Sequence, residues 1–291
     1  MLRLVPSQVP EHRLVRISLA SLALASVLAV PALAADLPEP PPMEPVPAPV
    51  VVQSGWMVTV GARLLVAPSW PGADDYSIYP LPYISFRDPN SPLIWGSPDD
   101  GTSIALFSTE QFRIGIVGGF EGSRDKHDDK KLRGLKSIDW AIEAGGFVEV
   151  WPVEWLRGRA EIRRSFFGGD GWVGDLGLDG VFRYQPWTFA IGPRVSFASE
   201  EYMRTYFGIT QKEANRSKVF NKPYRPDGGI KSAGVASSIT YDWDTAWSAT
   251  LFGGWNKLLG DAEKSPIVRK IGDDNQFFGG LAISYTFNFT P

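Results

Sequence analysis

C-terminal to Gly55 the side chains alternate between apolar and polar with a period of two. The last stretch shows it most clearly: Phe277, Leu281, Ile283, Tyr285, Phe287 and Phe289 fall on one face, and Ala282, Ser284, Thr286 and Asn288 on the other. Such alternation is the signature of a strand lying between two different environments. The same reading holds for 56–66, 140–150, 156–166, 172–184, 187–197, 233–243 and 247–255. Tyr79 to Phe86 is a weaker strand because it carries Pro80 and Pro82. Ile104 to Phe120 holds a strand over its second half, and Ile104 to Ser108 is either its beginning or a strand of its own. No segment sustains a helical period, so the predicted class is all-β.

Two architectures fit alternating strands. In a soluble sandwich the apolar face is the core; in an outer-membrane barrel it meets lipid, with aromatics at the interfaces and small or polar residues in the lumen. The turns discriminate between them. Three are very short, at Trp151 to Trp155, Tyr184 to Trp187 and Trp243 to Trp247, and each is bracketed by aromatic rings. Amphipathic rings settle where strands leave the hydrocarbon. The other connections are long and polar: Glu121 to Ser137, Glu200 to Gly229 and Lys257 to Asn275. A sandwich has no reason to sort its loops in this way. The expectation is an antiparallel transmembrane β-barrel over residues 55–289. With both ends in the periplasm the strand number is even, and ten is expected, Arg204 to Ile209 being a β-extension of an outer loop. If that segment and Ile104 to Ser108 each cross, the number is twelve.

The N-terminus supports export. Arg3, Arg13 and Arg16 precede an apolar run from Ile17 to Val30 and the small-residue site Ala32-Leu33-Ala34, the three-part pattern of a signal peptide over residues 1–34. Residues 35–54 are rich in proline, which favours an extended polyproline conformation, and read as a periplasmic spacer. The formal charge of −3 becomes more negative once the three arginines and Glu11 are removed, so no nucleic-acid partner is expected. Zero cysteines exclude disulfides and thiolate metal sites.

The inward faces carry Arg63, Arg113, Arg157, Arg159, Arg163, Arg183 and Arg194, interleaved with Glu143, Glu149, Glu161, Asp175 and Asp179. Adjacent strands bring opposite charges together, so a ladder of ion pairs is expected. These side chains either fill a narrow lumen or line a small passage that mildly attracts anions. Catalysis is not expected: acid–base chemistry near neutral pH recruits histidine, and after the signal segment only His127 remains, in the charged run Arg124 to Lys131. Asp125, Asp128 and Asp129 beside it match no ion-binding loop, and Gly168 to Gly171 is a turn with no following helix, hence no phosphate cradle. Neither metal nor cofactor is expected.

Several local sequences resemble the MipA/OmpV family of outer-membrane proteins: Tyr206-Phe207-Gly208-Ile209-Thr210, Leu132-Arg133-Gly134-Leu135 leading to Asp139-Trp140, and above all Leu258-Leu259-Gly260-Asp261-Ala262 followed by Ser265-Pro266-Ile267-Val268. The resemblance implies a barrel in the outer membrane of a Gram-negative bacterium, in contact with its lipids and lipopolysaccharide. It also implies a non-enzymatic scaffold, since the founding member is named for its interaction with a lytic transglycosylase, thought to be held together with a peptidoglycan synthase. A small passive, porin-like channel is the alternative. The family defines no catalytic residues to carry over. Two features depart from its pattern: a longer proline-rich spacer, and Thr290 and Pro291 after the terminal aromatic.

Overall fold

The computed structural model describes residues 55–87, 89, 95–125 and 130–290. The expected signal peptide, the spacer and His127 lie outside them. Eleven strands form one sheet: β1 (Trp56–Pro68), β2 (Tyr76–Arg87), β3 (Thr102–Ser108), β4 (Phe112–Glu121), β5 (Ala141–Val153), β6 (Leu156–Phe167), β7 (Trp172–Tyr184), β8 (Trp187–Ala198), β9 (Gly229–Asp242), β10 (Trp247–Leu258) and β11 (Asn275–Phe289). Their order is β2-β1-β11-β10-β9-β8-β7-β6-β5-β4-β3, and every neighbouring pair is antiparallel. The first and last strands pair along their length, from Trp56 opposite Phe289 to Val66 opposite Gly279. The result is a nearly closed antiparallel barrel whose two edges are β2 and β3.

The apolar face of each zigzag points outward. Ile78 is 68% exposed, Leu106 73% and Leu251 60%, so no second sheet covers them. A continuous band of exposed Val, Ile and Leu is stable only against hydrocarbon. Aromatics gather at both ends of the band. At the short-turn end Trp155 stacks on Phe182, Trp187 meets Tyr241, and Trp247 meets Tyr285; at the other, Trp140 stacks on Phe120 and lies tilted against Phe167. Trp151 is the exception to the expected rim of outward rings. It is buried on the lumenal side, where it donates from Nε1 to Glu149 at 3.0 Å.

The number of strands is neither ten nor twelve. Ile104 to Ser108 belongs to a full strand, β3, whereas Arg204 to Ile209 is no strand. Alternation around the sheet makes β2 and β3 run in the same direction, away from the long-loop end. The chain leaving β2 at the short-turn end must therefore return to the other end before β3 begins. The expectation of an even number assumed that every leg lies in the wall; here one return leg lies elsewhere.

The long connections are folded, which the absence of a helical period did not anticipate. They carry α1 (Glu200–Phe207), α2 (Gln211–Arg216), α3 (Gly260–Lys264), α4 (Pro266–Ile271) and a single 3₁₀ turn at Lys130–Leu132. Ser199 caps α1; Thr210 and Glu213 form a capping box on α2. Their apolar sides make two buried clusters. Tyr202, Met203, Tyr206 and Phe207 pack with Leu258, Ala262 and Val268, while Trp70, Leu132, Leu135, Ala214, Phe220 and Ile267 form the other. The long-loop end thus carries a cap with its own core.

Candidate functional site

Residues 95–101 of the return leg run through the bore. Trp95 packs on Trp151, Val181 and Ala190 near the short-turn end. Further on, the carbonyl of Pro98 accepts from Arg63 of β1, on one wall. Asp99 binds Arg194 of β8 at 2.7 Å, and Asp100 pairs with Arg157 of β6, on the opposite wall. Gly101 then passes against β4 so closely that a Cβ there would sit 2.5 Å from Val117 and 2.8 Å from the carbonyl of Gly118. A residue without a side chain is needed at that crossing.

Around this segment the lumenal charges form one network. Arg157 reaches Glu149 and Asp179, each at 2.8 Å, as well as Asp100. Arg159 binds Glu149 at 3.1 Å and Glu161 at 2.6 Å, and its guanidinium lies 4.0 Å from the ring centre of Phe147. Arg163 bridges Glu143 at 3.1 Å and Asp175 at 2.6 Å, and also contacts Glu161. Arg113 joins through Glu149 at 3.2 Å, and Arg194 through Asp179 at 2.7 Å. The planar guanidinium, with five donors, can serve two or three carboxylates at once, which an ammonium cannot do with fixed geometry.

Eleven of the twelve lumenal charges named from the sequence meet in this network or its lumen segment. Arg183 does not: it sits at the exposed rim, donating to the carbonyl of Glu154 at 3.0 Å and lying over Trp151. Sequence reasoning missed Trp95, Pro98, Asp99 and Asp100. The signal was an imbalance, since the inward-facing strand positions hold more arginines than carboxylates, and the missing acids stand in a connection too long for a short-rim turn. Between the segment and the cap lies a cavity of about 640 Å³, lined by both signs of charge and by Leu65, Phe252 and Phe277.

The residues singled out by resemblance lie in the cap and join its parts. Gly260, at φ +58°, opens α3, and Ala262 is fully buried. Asp261 accepts from the backbone N–H of Asp227 at 3.0 Å, and its carbonyl from the Tyr224 hydroxyl at 2.8 Å. Ser265 donates to the carbonyl of Phe207 at 2.7 Å and accepts from Ile267 N–H, while Pro266 occupies the first turn of α4. Glu213 is a second knot. Burial pushes its carboxyl up, but the Thr210 hydroxyl, the backbone N–H groups of Lys136 and Thr210, and the charge of Arg124 together hold it below the usual range. Burial lowers the Arg124 guanidinium to about 10 despite Glu213 and Tyr206.

These loop residues and the barrel lie within a single sequence match. The family model described as MltA-interacting protein MipA covers residues 60–287. The chain belongs to this family. Among curated relatives, Omp26La of Vibrio anguillarum and OmpV of Vibrio cholerae, both outer membrane proteins, are each 30% identical over 93 residues, 32% of this chain. That match spans 34% of either relative, about a third of its length. Solved structures similar to it include Neisserial surface protein A, 10% identical, covering 81% of this chain and 98% of that one with a TM-score of 0.25. An outer membrane channel from Pseudomonas putida F1, also 10% identical, covers 81% and 96% with a TM-score of 0.38. As a MipA-family barrel, the protein resides in the outer membrane, where bacterial barrels of this kind keep short turns in the periplasm and long loops outside.

Proposed function

We propose that this family member is a non-conducting barrel that holds peptidoglycan-remodelling enzymes, a lytic transglycosylase and a peptidoglycan synthase, at the inner face of the outer membrane. The observation that carries the reading is the occupied bore: residues 95–101 cross it and are tied by arginines to both walls. A segment tied across the bore obstructs the path for solutes and braces the two walls against each other, which suits a rigid platform. The name of the matched family supports the choice of partner. Purification of the full chain from membranes should retain a lytic transglycosylase, and deleting Asp36 to Val52 or altering the turns at Trp151, Tyr184 and Trp243 should release it. Failure to retain any cell-wall enzyme would count against the scaffold.

A second reading is favoured by the 640 Å³ cavity above the segment. If the segment withdraws, that cavity becomes part of a small channel. In planar bilayers the native chain is expected to be silent. Deleting residues 96–100, or combining Asp99→Asn with Asp100→Asn, is expected to give discrete steps. Steps from the native chain would favour the channel over the scaffold.

A further inference from the structure

The outward surface of the cap has a charge pattern that the lumen does not explain. Three stretches of chain, 130–136, 211–225 and 266–271, contain a single carboxylate, Glu213. That carboxylate is buried and occupied by Thr210 and Lys136 N–H. The cations of the same stretches are exposed, among them Arg133, Lys136, Arg216, Lys218, Lys222 and Lys270. The stretches are also side by side. Leu132, Leu135, Ala214, Phe220 and Ile271 share one buried cluster. Gly134, at φ +101°, lies so near Ser217 that a Cβ would stand 2.8 Å from its Cα, and Lys270 Nζ donates to the carbonyl of Val219 at 2.9 Å.

In a chain of net charge −3 this concentration of one sign is not an average surface. Like charges held together on a folded core repel one another unless a counter-charge is supplied. The cap stands at the outer rim of an outer-membrane barrel, where the surrounding leaflet presents phosphate groups. We propose that this basic face binds the phosphates of lipopolysaccharide flanking the barrel. Exposed ammonium and guanidinium groups make charge-assisted bonds to phosphate oxygens, and several together give an attraction that salt weakens.

The test uses the full chain folded in detergent and lipopolysaccharide as the probe, with and without removal of its phosphates. Binding should depend on phosphate and fall with added salt. Each cation near an anionic surface adds about fivefold, so Lys136→Glu, Lys218→Glu and Lys222→Glu together should weaken binding by about a hundredfold or more. Arg204→Glu, on α1 where the arginine is already paired with Glu200, should leave it unchanged. The gel-mobility shift of the unheated barrel reports folding; should the triple variant misfold, the corresponding glutamine variant replaces it. Equal binding to dephosphorylated lipopolysaccharide, full binding by the folded triple variant, or displacement by a lower concentration of duplex DNA would each overturn the proposal.

Discussion

Arg157 is the residue on which the bore closes. It is fully buried among Glu149, Asp179 and Asp100, and among the described residues no other side chain pairs with all three. Buried ion pairs are weak evidence of net stability, but removing one partner leaves uncompensated charge at a cost of about 3–5 kcal/mol. Arg157→Met should therefore destabilise the folded barrel by about that amount in urea unfolding from detergent. Arg183→Met, at the exposed rim, should cost far less. In the cap, Glu213 sets a pH dependence. Its carboxyl lies below the usual range in the folded state, so its contribution is complete above the unfolded value of about 4.3 and is lost as pH falls through the folded value. Hydrogen exchange at Lys136 N–H should accelerate in that acid window in the native protein, and Glu213→Gln should remove the dependence. At this scale the sequence was largely legible. Period-two alternation identifies the inward residues, but it cannot say which arginine meets which acid, because register depends on turns and on a segment outside the sheet.

At the scale of elements, β11 states the physics of the wall. Leu281 faces outward, opposite Leu64 on one side and Leu251 on the other. A charge at mid-wall on the lipid face costs about 2–4 kcal/mol. Leu281→Arg should reduce folding into phospholipid vesicles accordingly, while Ala282→Ser, on the lumenal face, should leave it near native. The helices of the cap were hidden for a related reason. Each spans five to eight residues, about two turns or fewer, too short for a 3.6-residue period to register, and held by packing rather than by propensity. Their starts were nonetheless written in the chain, as Ser199 before Glu200-Glu201 and as Thr210 three residues before Glu213. Ser265→Ala, which removes the bond to Phe207, should loosen α1 from α4 by about 1 kcal/mol, seen as faster proteolysis within 199–229 with the barrel intact.

For the whole molecule, β2 and β3 define a seam two strands away from the chain ends, since Trp56 and Phe289 already face each other across a ladder. Among the described residues no ladder joins β2 to β3, so amide exchange along Tyr76–Arg87 and Thr102–Ser108 should be the fastest of the wall. The odd strand number could not be read from alternation, which records two faces of a sheet and is blind to chain passing between its walls. The same arrangement makes the molecule a disguised meander. Read from β3 round to β2, every step is an antiparallel neighbour, and the sole interruption is the ordinary break between Phe289 and Trp56. Fusing those ends with a short linker and cutting the chain just before Thr102, with residues 88–101 omitted, would yield a rearranged gene product in which all eleven strands follow one another as hairpins around a bore that no chain crosses.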